Sequence, residues 1–83
     1  MNRIGIIAII IEGHHESVAQ VNAILSEFSD MIHARMGVPN HEKDINVISL
    51  VVEATNEQVG AVTGRLGNLP GVTVKSMMTN KTY

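Results

Sequence analysis

Residues 3–11, Arg-Ile-Gly-Ile-Ile-Ala-Ile-Ile-Ile, are apolar at odd and even positions alike and rich in β-branched side chains. Such a run fits a central strand buried on two sides. Gly13 breaks it. From Ser17 the period changes, and Val18, Val21, Leu25 and Phe28 recur at spacings of three and four, with Ala19 and Ala23 beside them. That is the stripe of an amphipathic helix, and Asp30 marks its exit. Residues 31–38 alternate again, which predicts a second strand, and Pro39-Asn-His-Glu-Lys-Asp44 reads as a polar hairpin loop. Ile45 to Ala54 is a third strand, with Ile48, Leu50, Val52 and Ala54 on one side and Ile45, Val47, Ser49 and Val51 on the other. Thr55-Asn-Glu-Gln58 has the form of a capping box and opens a second helix carrying Val59, Val62 and Leu66. Gly67-Asn68 predicts a left-handed stop and Pro70-Gly71 a turn. Val72 to Met77 is the last strand, and residues 79–83 read as a frayed tail.

The order β-α-β-β-α-β, joined by right-handed crossovers, predicts an α+β ferredoxin-like sandwich. Its antiparallel sheet has strand order 4-1-3-2, with both helices on one face. The first and third strands, apolar on both sides, are the two this topology puts in the middle. Two helices cover only one face of a four-stranded sheet. Ile45, Val47, Ser49 and Val51, with one of the two isoleucine sets of the first strand, must then lie on the other. Large apolar side chains left wet forgo roughly 1.5–3 kcal/mol each and form a patch too large for an ordinary monomer. Self-association through that face, sheet to sheet or edge to edge, into a dimer or tetramer is the expectation. Gly60, Gly64 and Gly67 fall on one line of the second helix, which predicts close packing against Ala19 and Ala23 of the first.

Composition narrows the classes. The chain has 83 residues and no cysteine, so disulfide scaffolds and thiolate chemistry are excluded. A single domain over residues 1–83 fits that length. Six Lys+Arg against eight Asp+Glu give a net charge of −2. Arg3, Lys43, Lys75 and Lys81 belong to different elements, which offers nucleic-acid phosphates no basic stripe. The apolar run of the first strand is about half of what crosses a bilayer. A cytoplasmic protein with no membrane partner is expected.

No catalytic set emerges. The serines lack a nucleophile elbow, and the carboxylates cluster in loops and at helix ends. His33 and Arg35 alternate with Ile32, Ala34 and Met36 on the second strand. With the latter three toward the helices, His33 and Arg35 share the open face. A guanidinium at the margin of an interface needs a carboxylate, carbonyl or anion. Either an intersubunit salt bridge with Glu53 or another acid, or a small-anion effector site, would supply one. His14 and His15 lie between Glu12 and Glu16. Neighbours on a helix point about 100° apart, so the pair does not chelate one ion unaided.

At Ala34-Arg-Met-Gly-Val-Pro39, and again from Val59 through Leu66-Gly-Asn-Leu-Pro-Gly-Val72 to Lys75, the chain resembles the iron-only hydrogenase system regulator family. That family is similar in fold to ACT domains and to the metal-binding C-terminal domain of the nickel-responsive repressor. The repressor's site uses several histidines and a cysteine. This chain has no cysteine and no histidine on its third strand, so that site does not carry over. Nor is the repressor's DNA-binding segment expected, since the first strand starts near residue 3. The resemblance implies a non-enzymatic regulatory or sensory homo-oligomer without a cofactor, binding a small effector or a protein partner. It also places Gly13 and His14, just after the first strand, where ACT-like domains gather ligand contacts. The expected effector residues are His33, Arg35, Gly13 and His14, and His14 with His15 is the candidate for a metal. Two alternatives stand beside this: a metal-responsive module using the histidines, and a small cofactor-free enzyme in an intersubunit cleft.

Overall fold

Each strand of the protein is placed by what its two faces can bury. The computed structural model describes residues 2–82. Its elements are β1 (Arg3–Glu12), α1 (His15–Glu27), a short 3-10 turn (Ser29–Met31), β2 (Ile32–Asn40), β3 (Ile45–Ala54), α2 (Asn56–Gly67) and β4 (Val72–Met78). The four strands form one antiparallel sheet in the order β2-β3-β1-β4, as the sequence predicts. The two strands with apolar residues on both faces, β1 and β3, are its centre.

Ile7, Ile9 and Ile11 of β1 and Ile48, Leu50, Val52 and Ala54 of β3 turn to the helices. There they pack with Val21, Ile24 and Leu25 of α1 and Val59, Val62 and Leu66 of α2. The capping box forms as expected: Gln58 N–H donates to the Thr55 hydroxyl, and Thr55 N–H donates to the Gln58 side chain. The α1 stripe is shifted from its predicted line. Ile24 is in the core, while Val18 and Phe28 are only half-buried. The buried line starts at Ser17, whose hydroxyl donates to the Pro70 carbonyl at 2.7 Å and so satisfies both groups inside the protein.

Three local expectations are corrected. The glycine line of α2 does not meet α1. A side chain at Gly60 or Gly64 would meet open space, and Ala19 and Ala23 are exposed. Val59, Val62 and Leu66 already take the inward face, so Gly60 and Gly64 turn to solvent, while a Cβ at Gly67 would touch Val74 of β4 and not α1. Arg65 links the helices instead, pairing with Glu27 and lying 5.9 Å from the centre of the Phe28 ring. The α2 exit is not left-handed either: Asn68 is right-handed at φ −83°, and the reversal falls at Gly71, φ +73°. A Cβ there would press on the Glu12 carbonyl and the His14 ring. Finally, β2 and β3 continue to Asn40 and from Ile45, leaving residues 41–44 as the turn, with Asp44 at φ +55°. Pro39 is tolerated because β2 is an edge strand.

Of the predicted tail, Thr79 still donates its N–H to the Ile4 carbonyl at 2.9 Å, and Tyr83 lies outside the described residues. No helix among the described residues is long and apolar enough to cross a membrane.

Candidate functional site

The feature that arranges the site is a β-bulge. Ile32 pairs with Val52 but Ala34 with Val51, so His33 is an extra residue in β2. An inserted residue moves every later side chain to the other face. Ala34, Met36 and Val38 lie opposite Val51, Ser49 and Val47, on the open face, while Arg35 and Gly37 lie opposite the buried Leu50 and Ile48, on the helix side. The expectation that His33 and Arg35 share the open face is therefore corrected, and so is the inward placement of Ala34 and Met36. His33 Nε2 is 3.3 Å from Glu53 Oε1 within the same chain. Glu53 is the acid expected, reached without a second subunit. Arg35 finds a neutral partner: its guanidinium donates to Asn22 Oδ1 of α1 at 2.8 Å.

Between α1 and β2 runs a groove. On one side of Arg35 it opens into a lobe of about 370 Å³ beside Leu25, Ser29 and Ile32. On the other lies a lobe of about 210 Å³ lined by Val18, Asn22, Gly37, Val38, Pro39 and Ile48, among others. Val18, Pro39 and Asn46 carry it on into a cleft of about 540 Å³ at the hairpin, beside His15, His41 and Asp44. Asn22 and Gly37 escaped the sequence reading. A glycine inside a strand was the available signal, since it often marks a close approach to the backbone.

At the β1–α1 junction, Gly13 has φ +66° and its N–H donates to the Asp44 carbonyl at 3.0 Å. The two histidines turn to different acids. His14 Nδ1 is 3.0 Å from Glu16 and His15 Nε2 is 2.6 Å from Asp44. The Glu16 carboxyl is held below the ordinary carboxylate range, first by a hydrogen bond from its own backbone N–H and then by His14. Among the described residues no three His, Cys, Asp or Glu side chains lie close enough to share an ion. Gly13 and His14 stand at the hairpin end, while Arg35 and the Glu53-paired His33 both line the larger lobe of the groove. The four expected effector residues do not form one site.

The third region is the helix-free face. Ile4, Ile6, Ile10, Met36, Val38, Val47, Val51 and Met77 are 36–65% exposed on it. Ala8 and Ser49, paired across β1 and β3, form its low centre. Ile45 and Ser49 share the face with Val47 and Val51, as their alternation predicts.

A ferredoxin-like sandwich with one helix-covered and one bare apolar face defines a class found among regulatory domains. The ACT domain of the GTP pyrophosphokinase from Chlorobium tepidum superposes with a TM-score of 0.71 at 19% identity, over 99% of this chain and 93% of that one. CPII, a nitrogen regulatory PII-like protein from Thiomonas intermedia K12 solved with ADP, AMP and bicarbonate, gives 0.51 at 16% identity, over 98% and 96%. At these identities the likeness is one of fold. Within the class, the chain belongs to the TM1266-like family, described as "Iron-only hydrogenase system regulator, putative", which it matches over residues 3–76. It is similar to the uncharacterized protein TM1266 from Thermotoga maritima, with a TM-score of 0.92 and 35% identity over 96% of this chain and 100% of that one. No curated protein matches the sequence.

Proposed function

We propose that the chain is a non-catalytic regulatory domain of a hydrogenase-linked system, acting in the cytoplasm as a homo-oligomer that binds a small effector or a protein partner. The observation that carries this is the bare sheet face. Its eight large apolar side chains are contiguous across all four strands, whereas the largest apolar patch of an ordinary monomer is about 300–600 Å². A stable interface takes about 800 Å² from each partner, an area of the order of one such face. A second copy is the occupant that fits. Its charges lie toward its margins: Glu12 opposite Ile45 at the hairpin end, Lys75 on the β4 edge and the His33–Glu53 pair near the β2 edge. A two-fold axis would lay two such surfaces together without burying an unpaired ion. Adenine nucleotides and bicarbonate on CPII support a small effector as what a domain of this fold reads.

The test is the mass of the full chain in solution by multi-angle light scattering. A dimer or tetramer at tens of micromolar is expected. A monomer at that concentration would remove the argument from the sheet face.

A further inference from the structure

We infer that the groove between α1 and β2 binds a small organic carboxylate, anchored by Arg35 and housed in the lobe that Gly37 leaves open. This rests on the reading of the chain as an effector-binding regulator and gives the effector a chemical class and a place.

Three observations meet there. The first is an arginine held in position without being neutralised. Arg35 spends one N–H on the Asn22 amide oxygen, and among the described residues no carboxylate lies within salt-bridge distance of it. A guanidinium has five donors in a planar fork that matches a carboxylate. The second is Gly37. Its position points at the groove, opposite Ile48, a Cβ there would meet nothing within 4 Å, and its backbone is not left-handed. Any residue would fit, yet the position holds one of the poorest strand formers. Gly60 and Gly64 are also unobstructed, but they face solvent on a helix. Gly37 is the glycine whose missing side chain keeps a lobe empty.

The third observation is the lining. Ile11, Val18, Pro39 and Ile48 make the walls of this lobe of about 210 Å³ largely aliphatic. At about 30 Å³ per water it has room for about seven non-hydrogen atoms. Arg35 is the single permanent cation among the lining residues of both lobes, and His33 in the farther one is turned to Glu53. One positive charge balances one negative charge. A phosphate dianion would leave a charge uncompensated against aliphatic walls, which is costly. A monocarboxylate with a short branched aliphatic body matches charge, size and surface together.

The experiment titrates the full-length protein, labelled with nitrogen-15, with isovalerate, isobutyrate, neutral isovaleramide and inorganic phosphate. It follows the Arg35 Nε–H and Gly37 N–H resonances. The acids should shift both and saturate in the millimolar range, while isovaleramide leaves them unmoved. Gly37→Leu, whose Cβ meets no atom within 4 Å, should occupy the lobe and abolish the shifts with the remaining spectrum intact. Arg35→Gln should weaken binding by about tenfold or more, the loss of a charge-assisted pair. Acids that move neither resonance, or bind both variants as well as the wild type, overturn the site. Phosphate binding as tightly as the acids overturns the assigned class. If no acid binds but light scattering shows an oligomer, this site is lost and the oligomeric reading stands. Acids that bind a monomeric wild type leave this site standing and remove the oligomeric reading.

Discussion

Alternate isoleucines of one strand live in two environments. On β1, Ile7, Ile9 and Ile11 are no more than 1% exposed beneath the helices, whereas Ile4, Ile6 and Ile10 on the other face are 36–43% exposed. The same split divides β3, with Leu50 and Val52 in the core and Val47 and Val51 outside it. Composition does not separate the two sets, and neither does strand propensity. What separates them is that the chain brings its own cover to one face only. The covered face is a matter of folding, and the bare face is the one the proposed association would cover.

Substitutions on the two faces should therefore fail differently. The largest effect is expected at the centre of the covered face. Leu50→Ala deletes a fully buried side chain, at a cost of about 2–5 kcal/mol. For a domain of this size that lowers Tm by roughly 10 °C or more, which scanning calorimetry would show. A change of only a degree or two would mean that the core beneath the helices is loosely packed. Val51→Lys, one position on, should leave the fold intact by circular dichroism and shift the light-scattering mass toward monomer. An unpaired ion in a desolvated contact costs several kcal/mol. If Val51→Lys keeps the wild-type mass, the bare face is not the interface.

Smaller effects lie at the margins. Ser17→Ala leaves the Pro70 carbonyl without its donor where α1 meets the turn before β4. The expected loss is about 0.5–1.5 kcal/mol in urea unfolding, with association unchanged. A simultaneous fall in mass would tie that corner to the interface. The smallest effect belongs to Glu16, outside both faces. Its folded-state pKa is below the ordinary 4.5, so its contribution to stability is complete above that value and disappears as pH falls through the folded one. An NMR titration should place its midpoint below that of an unperturbed glutamate, and Glu16→Gln should abolish the dependence. A midpoint at the ordinary value would mean that the hydrogen bonds around Glu16 are not kept in solution.

The parts of the molecule legible in the sequence were those set by local period. The central strands showed as doubly apolar runs, the start of α2 showed as Thr55 and Gln58, and the bare face followed from counting helices against faces. The candidate site was only half legible. Arg35 stood out as a cation on an apolar strand, but its direction was read from an unbroken alternation. Nothing about His33 marks it as the extra residue. Asn22, on the solvent flank of its helix stripe, gave no signal until Arg35 reached it. The glycine line of α2 misled for a related reason: small residues permit a close approach without requiring one.

The sequence by itself determined the order of elements, the identity of the two central strands and the existence of a face that this chain cannot cover. These depend on side-chain period and on backbone capping, both local properties. The tertiary structure alone decided which way the second half of β2 faces. The pairing of β2 with β3 inserts His33 between Ile32 and Ala34, and a strand with a period of two reverses every side chain beyond such an insertion. That reversal turned Met36 and Val38 to the bare face and carried Arg35 under α1 to Asn22. Pairing across a sheet is a contact between residues distant in the chain, and no local pattern records where it slips.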